Sequence, residues 1–234
     1  MIPLRHTHNP ITVPWVTRVL VLLNVLVFAW QFASPRMDVI LVGKFSFVPA
    51  RMFHPQLYGT SLLVASSTLL TSLFLHGGFV HLIGNMLYLW IFGRSVEDRL
   101  GHGRYLAFYL ASGAIGNLAQ AFAFQNSEMP TIGASGCIAG VLGAFLILFP
   151  RARVVTLLPL IVYWGLAEIP ALLFLPIWFA LQFLNGWMAV ASPGTGHEMA
   201  TVAWWAHIGG FAFGLLFAFW WKGRMIIPTT SEER

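Results

Sequence analysis

Residues 201–221 read TVAWWAHIGGFAFGLLFAFWW, a run without Asp, Glu, Lys or Arg. A bilayer core about 30 Å thick needs about 20 mostly apolar residues to cross it as a helix, and this stretch supplies them. Five others do the same, at roughly 13–33, 79–94, 105–125, 133–149 and 171–191. The chain therefore reads as all-α, a polytopic membrane protein whose six spans form one bundle over residues 1–234.

Composition agrees. Of 234 residues, 58% are hydrophobic and 9% charged, too few charges to cover a water-soluble globule. The net charge of +5 is spread in ones and twos rather than gathered in a stripe, which excludes a nucleic-acid partner and makes the cations a topology signal. The single Cys137 excludes an internal disulfide and a Cys-based zinc site.

A seventh apolar stretch, Val154–Glu168, contains Pro159 and is short for a span, so it reads as a re-entrant or interfacial segment on one side. The connection 34–75 is rich in Phe, Leu and Val and is expected at the membrane interface. The first span is followed by no small-x-small cleavage site before Pro35 and is expected to stay in the membrane.

With six spans, Arg5, Arg18, Arg94, Arg99, Arg104, Arg151, Arg153, Lys222, Arg224 and Arg234 fall on one side. Opposite them stand Arg36, Lys44 and Arg51, all in the first connection. The positive-inside rule then predicts that both termini are cytoplasmic and that spans two, four and six enter from the outer face.

Polar groups within spans are costly and mark candidate sites. His81 and Asn85, four residues apart, share a helix face in span two, while His76 reads as a loop or entry residue before it. Span four opens with Gly133-Ala134-Ser135-Gly136, and span six carries Ala206-His207 followed by Gly210 and Gly214. By themselves these read as packing residues, because small side chains let helices approach closely. The predicted orientation, however, places Ser135, His207, His81 and Asn85 within about 10 Å of the outer face. A serine, a histidine that accepts its proton and additional donors are the parts required for acyl transfer. The first-turn N–H groups beside Ser135 add further donors.

Three motifs in this order resemble the rhomboid family of intramembrane serine proteases. They are H-x4-H-x3-N at His76, His81 and Asn85, G-x-S-G at Gly133 to Gly136, and A-H-x2-G-x3-G at Ala206, His207, Gly210 and Gly214. The resemblance implies a Ser135–His207 catalytic dyad and an oxyanion hole from the Ser135 N–H, His81 and Asn85. It also implies packing roles for Gly133, Gly136, Gly210 and Gly214, and cleavage of peptide bonds in or near transmembrane segments of other proteins. Partners would be such substrates and the lipid bilayer. No cofactor is implied, and no metal: no His-Glu-x-x-His string occurs, and Asp38, Glu97, Asp98, Glu128, Glu168, Glu198, Glu232 and Glu233 all lie outside the spans. Where many members have an aromatic four residues after the serine, this chain has Ala139, so a nearby Trp or the tight packing at Gly210 and Gly214 is expected to hold His207. The expected location is a prokaryotic inner membrane. A catalytically silent, client-binding relative is the competing function.

Overall fold

The computed structural model describes residues 2–159, 164–191 and 203–224. Strand β1 (Ile2–His6) precedes α1 (Trp15–Gln31), and the first connection folds into α2 (Pro35–Phe45), α3 (Pro49–Phe53) and α4 (Leu62–Thr71). Next come α5 (Phe79–Tyr88), a π turn at Leu89–Gly93, α6 (Arg94–Leu100), α7 (His102–Ala123) and α8 (Ser135–Leu148). After these come β2 (Arg153–Pro159), β3 (Trp164–Pro170), α9 (Ala171–Ala191) and α10 (Trp204–Arg224). Residues 201 and 202, where the sequence places the start of span six, lie outside the described residues, as does the loop near 192–200.

Helices α1, α5, α7, α8, α9 and α10 fall on the six apolar stretches. Among the described residues, His102–Ala123 is by itself long and apolar enough to cross a bilayer, while Trp15–Gln31 and Ser135–Leu148 are shorter apolar helices. Leu62–Phe74 and Phe79–Leu100 meet the same test as a pair bent by 83°. With 14 residues, α8 rises only about 21 Å, short of a full bilayer core.

Two features depart from the all-α expectation. The described residues of Val154–Glu168, expected as a re-entrant or interfacial segment, are β-strand: β2 pairs antiparallel with β3 from Arg153↔Pro170 to Pro159↔Trp164. β1 adds to the other edge of β2, with His6 opposite Val154, giving a three-stranded sheet in the order β1-β2-β3. The run Val154-Val155-Thr156 favours an extended backbone, and pairing satisfies its amides without a helix.

Helix α8 is the centre of the bundle: every residue from Gly136 to Phe145 is buried. It packs against α7 and α10, and α9 packs on α10. The outer flanks are apolar, with Leu22, Leu26 and Trp30 exposed on α1, Leu173, Leu181 and Leu184 on α9, and Leu216 and Phe219 on α10. Such surface suits lipid, not water.

Glycines set the spacing at the centre. A Cβ on Gly210 would run into the carbonyl oxygen of Gly136, and one on Gly214 into that of Gly140. On α7, a Cβ at Gly116 would lie 2.5 Å from the Ala206 carbonyl oxygen. At Gly136 itself a Cβ would make an ordinary 3.4 Å contact with the same oxygen. Helices thus approach closely enough for side chains on α8 and α10 to meet.

Helix ends are held from a distance. Helix α1 lacks a capping side chain of its own at Pro14. Instead the buried Glu97 carboxylate on α6 accepts from Val16 N–H (2.8 Å), Thr17 N–H (2.8 Å) and Thr17 Oγ1–H (2.7 Å). Gln120 on α7 likewise accepts from Trp205 N–H in the first turn of α10, at 3.2 Å. These contacts satisfy donors that no helix can satisfy internally.

Candidate active site

The loop leading into α8 turns at Gly133, two residues before Ser135. Gly133 has φ +120°, a conformation that a side chain disfavours, and its N–H donates to the Ser72 carbonyl at 2.9 Å. Just upstream, Thr131 N–H donates to Phe47 O at 2.7 Å and Phe47 N–H returns a bond to Thr131 O at 3.1 Å, tying this loop to the first connection. Ser135 is then the first residue of α8 and is half-buried.

Helix α10 brings His207 to it. Ser135 Oγ and His207 Nε2 are 2.7 Å apart across 72 residues of sequence, the separation of a donating hydroxyl and an accepting imidazole nitrogen. Ser112, Gly113, Gly116 and Asn117 of α7 lie buried in the same bundle. His207 Nδ1 is 2.7 Å from Oε1 of Gln182 on α9. The indole of Trp178 lies 6.2 Å from the imidazole centroid and that of Trp204 lies 5.9 Å away, nearly perpendicular. Tryptophans therefore flank the histidine where Ala139 supplies no ring.

Helix α5 contributes the remaining predicted residues. A Cβ built on Gly133 would fall 2.8 Å from His81 Nε2 and 3.6 Å from Asn85 Nδ2, so both nitrogens converge beside the backbone two residues from Ser135. Gly77 N–H donates to His81 Nδ1 at 3.4 Å, which makes Nε2 the protonated nitrogen of that neutral ring. Asn85 Nδ2 is buried without a hydrogen-bond partner among the described residues. A donor left unpaired in an apolar interior is costly unless an acceptor arrives there. Asn85 Nδ2, with His81 Nε2 beside it, lies next to the region where charge would develop on a carbonyl attacked by Ser135.

His76 precedes α5, as the sequence predicts, but is fully buried. Gln31 on α1 clamps its backbone, accepting from His76 N–H at 3.1 Å and donating to His76 O at 2.8 Å. Its ring lies 5.2 Å from that of His81, and neither of its ring nitrogens has a hydrogen-bond partner among the described residues. No group of three or more His, Cys, Asp or Glu capable of holding a metal occurs among the described residues.

Sequence reasoning missed Gln182. Its signal was present: in Ala171–Ala191 only Gln182 and Asn185 interrupt the apolar side chains, and a polar side chain within such a run is itself a site candidate.

A family model for the Rhomboid domain matches residues 65–223, more than half of the chain. The chain is 50% identical over 78 residues to Rhomboid protease GluP of Bacillus subtilis, covering 33% of this chain and 15% of that protein. It is 32% identical over 167 residues to RHOMBOID-like protein 5 of Arabidopsis thaliana, covering 60% and 53% respectively. Similarity to the human Presenilin-associated rhomboid-like protein, mitochondrial, runs over 212 residues at 28% identity, covering 86% of this chain and 48% of that one. The chain spans about half or less of the length of these curated relatives.

Proposed function

This chain belongs to the rhomboid family of integral membrane proteins, and from that premise we propose that it is an intramembrane serine endopeptidase acting through a Ser135–His207 dyad. The observation that carries this reading is the 2.7 Å contact between Ser135 Oγ and His207 Nε2. Ser135 Oγ attacks the scissile carbonyl while its proton passes to His207 Nε2. The resulting oxyanion takes hydrogen bonds from the Ser135 N–H, His81 Nε2–H and Asn85 Nδ2–H. His207 then protonates the departing amine, and a water molecule activated by the same nitrogen hydrolyses the acyl-enzyme.

The membrane arrangement belongs to the same proposal. Six spans in one domain, both termini cytoplasmic, place the dyad near the outer face. The short α8 favours water entry at its Ser135 end, which hydrolysis requires. Substrates are transmembrane segments of other proteins, and they must unwind locally, because a helical carbonyl is hydrogen-bonded within its own helix. Helix-weakening Gly or Pro near the cut should assist.

Purified protein with a single-span substrate tests the reading. Wild type is expected to cleave and to be labelled at Ser135 by a fluorophosphonate, Ser135→Ala to do neither, and His207→Ala to lose cleavage. Asn85→Ala, which removes one of several donors, is expected to lower turnover by roughly 10- to 1000-fold without abolishing it. Equal cleavage by wild type and both dyad variants defeats the assignment. A wild type that binds substrate but neither cuts nor labels is instead a silent client-binding protein.

A further inference from the structure

The dyad accounts for one nitrogen of His207 and leaves the other to be explained. A neutral imidazole carries a single N–H. For Nε2 to accept the Ser135 proton, that hydrogen must sit on Nδ1. An Nδ1–H facing an apolar interior without an acceptor is costly, and the ring escapes that cost by moving the hydrogen to Nε2, where it disables the base. Oε1 of Gln182 stands 2.7 Å from Nδ1.

We propose that Gln182 is the positioning residue of this site: its side-chain oxygen accepts the Nδ1–H of His207 and holds the imidazole in the tautomer and orientation that leave Nε2 free for Ser135. The inference rests on the protease reading of the dyad. Each member comes from a different helix, Ser135 from α8, His207 from α10 and Gln182 from α9, so the three meet only in the folded bundle. An amide is suited to the place. No acidic residue falls within the apolar stretches, and a carboxylate at this place, without the several donors that Glu97 has, would add a buried charge and its desolvation cost. Gln182 supplies a carbonyl dipole that lines up with the N–H and strengthens its hold as His207 gains a proton during attack. Trp178 and Trp204 limit ring tilt but offer no acceptor to Nδ1, since an indole N–H only donates.

Steady-state cleavage of a single-span substrate by full-length protein in detergent provides the test, with kcat and KM measured across the pH range for wild type, Gln182→Leu and Gln182→Glu. Unfolding temperatures are recorded in parallel. Gln182→Leu is expected to lower kcat by about 10- to 100-fold with KM little changed, the range for outer partners that orient a histidine and less than the ~10⁴-fold that a triad carboxylate commands. Gln182→Glu retains an acceptor at the same reach and is expected to recover most of that loss. Its negative charge also favours the protonated ring, so the acid limb of its kcat/KM profile should move to higher pH. A Gln182→Leu enzyme with the wild-type kcat overturns the proposal. So does a Gln182→Glu enzyme that is as slow as Gln182→Leu and equally destabilised, which marks a packing contact. An unmoved acid limb in an active Gln182→Glu also overturns it. Wild type that neither cleaves nor labels at Ser135 removes the protease reading, and this inference with it, whereas an active wild type beside an unimpaired Gln182→Leu removes this inference alone.

Discussion

Replacing Gly116 by alanine probes how closely the site depends on helix spacing. A Cβ added at Gly116 would face the backbone of Ala206, immediately before His207. The new Cβ would lie 2.5 Å from the Ala206 carbonyl oxygen. Relaxed carbon–oxygen contacts stand at about 3.3–3.6 Å, so the two backbones must part by about 1 Å. The nearest atoms are all backbone of Ala206 rather than the far end of a flexible side chain, and the strain has no cheap outlet. Overpacking of this kind costs about 1–3 kcal/mol. Moving the start of α10 by that amount would also stretch the 2.7 Å Ser135–His207 contact beyond hydrogen-bonding reach. A misplacement of about 1 Å at reacting groups costs on the order of 100-fold in rate. The assay is cleavage of a single-span substrate together with thermal unfolding in detergent. Gly103→Ala, in the first turn of the same helix, is the control, since its Cβ would meet nothing within 4 Å. It should be neutral or slightly stabilising, because alanine favours helix over glycine by up to about 1 kcal/mol. A Gly116→Ala protein with the stability and cleavage rate of wild type would refute the reasoning.

Two further predictions concern the end of the bundle opposite the dyad. Glu97→Ala removes the acceptor for Val16 N–H, Thr17 N–H and Thr17 Oγ1–H and is expected to cost about 2–4 kcal/mol, with Glu97→Gln intermediate. Unfolding of the three proteins in detergent checks this, and a loss below about 0.5 kcal/mol for the alanine variant would contradict it. His6, wedged between Phe92 and Phe145 with Nε2–H donating to Ile91 O at 2.8 Å, is pushed by burial down to about 4. The unfolded chain, with an ordinary value near 6.5, therefore takes up a proton that the folded one refuses. Stability from this group is complete above about pH 6.5 and falls by on the order of 3 kcal/mol as pH drops to about 4. His6→Phe should flatten the pH dependence of the unfolding temperature over that window; an unchanged slope would sink the idea.

Much of the site is legible in the sequence because it is built from scarcity. A serine after Gly133, one histidine in span six and a His81/Asn85 pair stand out among apolar neighbours, and their spacing alone makes them candidates. Gln182 stands out equally but carries no motif, and its partner lies 25 residues away on another helix. The hairpin β2–β3 is harder to read: a short apolar run of Val, Leu and Thr suits a strand or a buried segment equally, and one of the two partners of β2, β1, lies about 150 residues earlier.

Sequence by itself determined the solvent, the helical stretches and the candidate residues for the proposed reaction, since each depends on composition, local periodicity or the cost of placing a polar side chain in hydrocarbon. Tertiary structure decided the rest. Whether Ser135 meets His207, what holds Nδ1, which carboxylate caps α1 and which glycine backbones touch are distances between segments far apart in the chain. They are fixed by how closely α7, α8 and α10 pack, and no local pattern of residues records that spacing.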